Sequence, residues 1–500
     1  MLVQHDFPYP PVYGRALLCR TSHERVPLLD VLQDATTRHL VPFTTPGHKQ
    51  DVGADAELVE LLGKRIFAND IWLNTAHLAQ AMQEAEDLAA DAWGAEWTRF
   101  LINGSSSGNQ AFLFATLQDG DEVVIGRDIH SSILTALIQT GARPVYVTPR
   151  FHSETGLSLG VAPQDMARAL EDHPSAKLVI VTSPNYYGVA MDLPAVVRAA
   201  HTRDVPVYVD EAWGPHFSFS PLLPPSAMES GADSAVTSAH KLLGSLSQSA
   251  LLNLQGVRLD RQRISTAVSM LQTTSPLLPL FASIDTARRQ MALHGECLLS
   301  KAIDLAEEAR RRLAELPGVR VLDGHRMGIP YYDRTRLLVD VHGLGISGYE
   351  AERTLRQRFG IAPEMSDQAS VLCLVTVGDT HASISKLITA FRNLACERRY
   401  ATPLQAQACP RSLGDVVSAN PQTMTPREAY HRPSRAVALS EAVGATAAEA
   451  IVPYPPGVPV LTPGEVITND KLDYLAHGLE AGMYVRGAAD PTLATIRVVA

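Results

Sequence analysis

Five hundred residues exceed one ordinary domain, so two to four are expected, and 46% apolar residues suit a globular chain in water. A net charge of −10 argues against a nucleic-acid surface, and no apolar stretch approaches the roughly 20 residues that span a bilayer. The five cysteines, Cys19, Cys297, Cys373, Cys396 and Cys409, are scattered without a CxxC pair, which suits a reducing cytosol and argues against a structural metal.

The N-terminal MLVQHDFPYPPVYGR lacks the basic-then-apolar run of a signal peptide, so a cytoplasmic protein is expected, with no membrane and no nucleic-acid partner. Residues 1–36 read as an arm closed by the helical stretch VPLLDVLQDATTRHL. TTPGHKQD is a loop around a Pro-Gly turn. Leu78, Met82, Ala85 and Leu88 fall at helical spacing and predict a helix over 77–93. FLINGSSSGNQAFLFATL then reads as strand, small polar turn and apolar helix. From there the chain alternates. DEVVIG, RPVYVTP, KLVIVT and PVYVDEAW are strands, and HSSILTALIQTG, PQDMARALEDH and LPAVVRAAHTR are helices. Such alternation predicts an α/β fold with a mostly parallel sheet covered on both faces. A helical stretch over 285–315 leads into a smaller α/β unit built from RLLVDVHG, GYEAERTLRQRFG, VLCLVTVGD and HASISKLITAFRNLA. Pro, Gln, Ala and Ser then dominate 401–425, which reads as a linker before a third unit with an exposed-looking acid, Glu465. The expected division is a large domain over 37–300, a small α/β domain over 301–400, and a linker with a C-terminal α+β domain over 401–500.

Two residues stand at the ends of neighbouring apolar runs. Asp210 closes Val205–Val209, and Lys241 follows Ala235–Thr237 and a Ser-Ala-His tripeptide. The carboxyl ends of parallel strands carry chemistry in such folds, so an acid and an amine would face one pocket. Pyridoxal phosphate needs that pair: a lysine for the Schiff base and an aspartate against the pyridine nitrogen. A strand-end cap and a solvated lysine are the bland alternative. Gly104-Ser105-Ser106-Ser107-Gly108 opens a helix with free N–H groups and three hydroxyls, more than capping needs, and suits a dianion. Arg127–Ser132 again joins a strand to a helix; His130 could stack on a planar ring or simply cap. Asn185 and Tyr186 in SPNYYG could touch a ligand, or be turn residues around Pro184 and Gly188. Ser238 and His240 flank Lys241 and could reach a phosphate. The cluster TTSP is a further hydroxyl group or a cap. HExxH, Walker A, GxGxxG and a suitably placed GxSxG do not occur.

In this order, TTPGHKQD, NGSSSGNQ, RDIHSS, TSPNYYGV, VDEAWGPHF, SAHKLLGSLSQSA, TTSPLLPLFASID and YPPGVPVLTPGE resemble the bacterial-type ornithine/lysine/arginine decarboxylases from about residue 37 onward. The resemblance implies pyridoxal phosphate enzymes of the aspartate-aminotransferase fold, fold type I, acting as α-decarboxylases of basic amino acids that yield polyamine-type amines and CO2. It implies the Schiff base on Lys241, Asp210 at the pyridine nitrogen, and Ala212 and His130 on the two ring faces. Ser106, Ser107, Ser238 and His240 match phosphate-pocket positions, and Thr274 adds a phosphate contact across a homodimer interface where the active site lies. Trp213 falls close to the substrate, Asn185 near the pocket mouth, and Glu465 resembles an acid suited to the distal cation of the substrate. Lys241 or His240 would return a proton to Cα. The segment IWLN after Asp70 and the Asn at 185 depart from the family pattern. The resemblance is to a short form, expected to lack the N-terminal wing domain of the large members. Rivals are another enzyme of the same cofactor and fold (aminotransferase, oxidase-like, or a decarboxylase of a modified amino acid) and a non-enzymatic scaffold.

Overall fold

The computed structural model describes residues 20–37, 41–69, 75–152, 157–324, 327–398, 416, 421–454 and 457–500. Asp70 and its IWLN segment, most of the N-terminal arm and most of the 401–425 linker lie outside them. Seven strands form the central sheet: β1 Trp97–Leu101, β2 Glu122–Gly126, β3 Arg143–Val147, β4 Leu178–Thr182, β5 Val207–Asp210, β6 Ser234–Thr237 and β7 Ala250–Leu254. Their order is β1-β7-β6-β5-β4-β2-β3; β3, β2, β4, β5 and β6 run parallel, while β7 lies antiparallel between β6 and β1. Period-two alternation divides each central strand between two cores. Ile125, Ile180 and Tyr208 pack on one face with Phe112, Leu113 and Ile133, and Val124, Val179, Val207 and Val209 pack on the other with Leu170 and Val196. Burial on both faces is why these strands read as continuous apolar runs.

Two glycines set how the helix Gly104–Thr116 leaves β1. Gly104 has φ +74°, a left-handed turn that L-residues resist. A Cβ at Gly108 would meet Leu101 Cδ1 at 2.5 Å and Val236 Cγ2 at 2.8 Å, so only glycine lets this helix settle onto β1 and β6. The GSSSG turn is thereby held beside the ends of β5 and β6.

The helix Leu278–Ala314 is longer than the sequence predicts, 37 residues, and starts before residue 285. Phe281, Ile284 and Met291 pack in the first unit, and Ala302, Ala306, Ala309 and Leu313 in the second. The second unit carries β8 Arg320–Leu322, β9 Arg336–Asp340, β10 Met365–Ser366 and β11 Ser370–Leu374, ordered β10-β11-β9-β8 and antiparallel throughout. The last unit has two antiparallel pairs, β12 Ser434–Ala438 with β15 Thr495–Val499 and β13 Val452–Tyr454 with β14 Tyr484–Arg486. They share a core of Ile451, Leu461, Leu475, Ile496 and Val498. Among the described residues, no helix is long and apolar enough to cross a membrane.

Candidate active site

Strand β5 ends on Asp210, which is 3% exposed. Its neighbours in register are Thr182 on β4 and Val236 on β6. Two N–H donors hold the carboxylate. The Ala212 backbone donates to Oδ1 at 3.1 Å, and Asn109 Nδ2 donates to Oδ2 at 2.9 Å. Asn109, buried in the helix Gly104–Thr116, also donates to Ser132 Oγ at 2.8 Å and accepts from the Tyr208 hydroxyl at 2.6 Å. Ser132 in turn donates to His130 Nδ1 at 2.8 Å, and the Ser132 backbone N–H points at the same nitrogen at 3.2 Å. With Nδ1 accepting, the ring proton sits on Nε2. Asp210 and His130 are thus joined by one buried network through Asn109. The sequence reading missed Asn109: a polar residue next to the polar turn that opens an apolar helix gives no sign of facing inward until the strand beneath it is known.

Lys241 lies in the short helix Ala239–Leu242 that follows β6. Its Nζ sits 3.9 Å from the centroid of the Trp213 ring, and among the described residues it has no hydrogen-bond acceptor or ion-pair partner. Burial pulls its pKa down to about 8, opposed by Asp210, reinforced by Arg336 and opposed again by Glu364. Burial also lowers His130, against Asp210 and with Lys241. His130 keeps exposed surface even though the protein packed around it is dense enough to lower its pKa. His240 donates from Nδ1 to the Ser249 carbonyl at 2.8 Å, leaving Nε2 as an acceptor, and burial lowers its pKa too.

Ser238 is fully buried and its hydroxyl meets Ser105 Oγ at 2.9 Å, so the GSSSG turn and the Ser-Ala-His-Lys segment touch. Ser105, left out of the expected cofactor contacts, is the serine of this turn that makes that link. Ser106 and Ser107 are half-buried on the same turn, and Ser107 donates to the Gly104 carbonyl. Thr274 is exposed in the turn after the helix Arg261–Leu271, and among the described residues no hydrogen bond ties it to the cluster. Trp213 is walled by Tyr186, ring centroids 4.5 Å apart, and by the Arg336 guanidinium at 4.8 Å. Arg336 is held by Asp333 at 3.0 Å, whose carboxyl His216 and Arg336 keep well below the usual range despite its burial.

One expectation is corrected, that of Glu465. The side chain of Asn185, expected near the pocket mouth, bonds to its own turn and to the segment around Ser158. Nδ2 donates to the Ser158 carbonyl, and Oδ1 accepts from the Tyr187 and Val189 backbones. Glu465, expected as an exposed acid for a substrate cation, has a wholly buried side chain. Arg127 grips it with Nε at 2.8 Å and Nη2 at 2.9 Å, and Lys471 Nζ lies 3.0 Å away. These cations carry its pKa down to about 2 against the cost of burial. Its charge is therefore already matched inside the chain, where it docks the C-terminal unit on the segment just before His130. Breaking one member of a buried ion cluster strands the others. Glu465→Gln is expected to destabilise the protein by about 3–5 kcal/mol, seen as a lower urea midpoint with an unchanged slope. An unchanged midpoint would show that Arg127 and Lys471 find other partners.

The sequence profile of the Orn/Lys/Arg decarboxylase major domain matches residues 26–328, and that of the C-terminal domain of the same family matches residues 413–484. An arginine decarboxylase of Bacillus subtilis is 37% identical over 486 residues, covering 96% of this chain and 98% of that protein. One from Bacillus anthracis is 37% identical over 489 residues, with 96% and 98% covered. Among solved structures, the lysine decarboxylase of Francisella novicida superposes with a TM-score of 0.81 at 21% identity, covering 95% of this chain and 81% of that one. At that identity the likeness carries the fold.

Proposed function

As this chain belongs to the Orn/Lys/Arg decarboxylase family, a family of pyridoxal phosphate enzymes, we propose that it decarboxylates L-arginine in the first place and lysine or ornithine less well, with Lys241 as the residue that carries the cofactor. The observation that carries the reading is an amine, Lys241, that among the described residues has no hydrogen-bond acceptor or ion-pair partner and lies within electrostatic reach of the buried carboxylate of Asp210. Arginine ranks first because the relatives at 37% identity bear the name arginine decarboxylase.

The residues fit pyridoxal phosphate on the chemistry of the donor set. A lysine with a lowered pKa suits a carbonyl partner, and a carboxylate fixed by two N–H donors suits a pyridinium. The serine-bearing helix start, facing Ser238, suits a phosphate. When bound, the cofactor supplies an electron sink for the pair that remains on Cα as CO2 leaves. The protein's own residues do the rest. Asp210 would face the ring nitrogen, with Asn109 fixing its angle. Ala212 and His130 would take the two ring faces. Ser106, Ser107, Ser238 and His240 would hold the phosphate, joined by Thr274 of a second copy. Trp213 and Tyr186 exclude water beside Lys241. Lys241 Nζ, with a pKa of about 8, can give and take a proton near neutral pH and is positioned to return one to Cα; the free Nε2 of His240 is the neighbouring alternative.

A homodimer completes this reading. Phe43 (95% exposed), Val52 (87%), Leu61 (80%) and, beside Thr274, Met270 (66%) are apolar surfaces that a second copy would cover. The cytoplasm is the expected place of such an enzyme. The test is CO2 release by the purified holoenzyme from arginine, lysine, ornithine and uncharged analogues. Arginine should lead with agmatine as product. A keto acid as the product, or no CO2 from any basic amino acid, overturns the reading.

A further inference from the structure

The assigned reaction leaves Arg336 without a role, yet it is among the largest side chains with no exposed surface. It opens β9 of the small unit and crosses onto the large one. Gly188, in the turn SPNYYG, makes room for the crossing. It has φ +89°, and a Cβ there would meet Arg336 Cγ at 2.4 Å. The Asp333 backbone N–H donates to the Gly188 carbonyl at 2.8 Å and ties the two units at this point. Beyond Gly188 the guanidinium has three contacts. Nε lies 3.0 Å from Asp333 Oδ2, Nη2 donates to the Trp213 carbonyl at 3.2 Å, and Cζ stands 4.8 Å from the centroid of the Trp213 ring. Among the described residues, Nη1 has no acceptor.

A buried guanidinium is costly, and a nitrogen left unbonded adds to the cost, so its place in the fold calls for a cause. The ring it stands against is the one that carries Lys241, whose Nζ is 3.9 Å from the same centroid. Two cations from different units thus share one indole. A ring already engaged by one cation attracts a second less, and like charges repel across it. The groups that act on Lys241 are Asp210 at the end of β5, His130 ahead of the helix Ser131–Thr140, His240 beside it, Glu364 ahead of β10, and Arg336. The two carboxylates favour the ammonium form, and burial lowers both imidazoles. Arg336 is the permanent cation of the set. It acts toward the free amine, while its own partner Asp333 does not register on the lysine.

We propose that Arg336 is a positioning residue for Lys241: it fixes the Trp213 indole against the amine, and its charge, brought from the small unit, favours the uncharged amine that a carbonyl can condense with. This rests on the reading that Lys241 carries the cofactor. The reactivity of the lysine then depends on the small unit being docked.

The test is labelling of Lys241 by trace acetic anhydride across pH, on the full chain freed of cofactor, in wild type, Arg336→Met and Arg336→Lys. Arg336→Met keeps a long stem beside Trp213 and removes the charge. It should raise the midpoint of Lys241 labelling from about 8 by about one pH unit, leaving roughly tenfold less neutral amine at pH 7. Arg336→Lys keeps the charge and should keep the wild-type midpoint. Should Arg336→Met fail to fold because it strands the Asp333 charge, the double variant Arg336→Met/Asp333→Asn removes both charges and reads the same midpoint. A midpoint unmoved or lowered by loss of the charge overturns the proposal. So does an equal rise in Arg336→Lys, which would mark a role in packing alone. The readout needs neither cofactor nor substrate, so it stands apart from CO2 release: a Lys241 that answers to Arg336 in a protein that decarboxylates nothing would sink the assigned reaction and leave Arg336 in place.

Discussion

Lys241→Ala is expected to lower CO2 release from arginine by about 10⁴-fold or more, because it would remove both the proposed covalent anchor and the proposed proton carrier. The yellow colour of the holoenzyme should vanish with it, and borohydride should no longer fix the cofactor to the chain. Lys241→Arg is the matched control: it keeps a cation over Trp213 but cannot condense with a carbonyl. A variant that lost activity yet kept covalent cofactor would place the anchor elsewhere. The lysine's pKa supplies an independent check on the cofactor-free protein. With a pKa of about 8, roughly a tenth of the amine is neutral at pH 7, against about one part in 3,000 for an ordinary lysine. Acylation of Lys241 by trace acetic anhydride should therefore rise with pH and level off above about 8, while surface lysines continue to rise toward pH 10. A Lys241 profile that tracked the surface lysines would show that burial does not act on it as described.

Asp210→Asn is the second large loss, about 10²- to 10⁴-fold in kcat. The carboxylate sits between two donors, the Ala212 N–H and Asn109 Nδ2. An amide offers one acceptor, so whichever way it turns, an N–H is set against an N–H. That conflict costs about 1–3 kcal/mol in a buried site. The negative charge that would hold a proton on the ring nitrogen is lost as well. The two effects separate by measurement: the packing conflict appears in the melting temperature, the charge in the pH dependence of the bound cofactor's absorbance. Loss of stability with an unmoved absorbance profile would show that Asp210 serves the fold alone.

The order of strands and helices in the large unit was legible because buried parallel strands are short apolar runs bounded by turns, and their helices begin and end on recognisable caps. The positions of Asp210 and Lys241 followed from that. The antiparallel place of β7 was not legible, since its pairing with β1 joins residues such as Thr98 and Asn253 that no local pattern connects. The two-residue β10 and three-residue β8 are too short to show a period. The acids were the hardest to read. Glu465 looked exposed because proline-rich surroundings usually are, yet its partner Arg127 lies 338 residues away.

The buried contact between Arg127 and Glu465 also orders events in time. During synthesis, the strand and loop that carry Arg127 and His130 leave the ribosome long before Glu465 does. The interval is 338 residues, roughly 20–70 s at ~5–20 residues per second. Throughout it the guanidinium must stay in water, because no counter-ion yet exists to accompany it inside. The segment ending in His130 therefore takes its final position only when nearly all of the chain has been made. The nascent protein can build its central sheet early, but the proposed cofactor site would stay open until its last unit arrives.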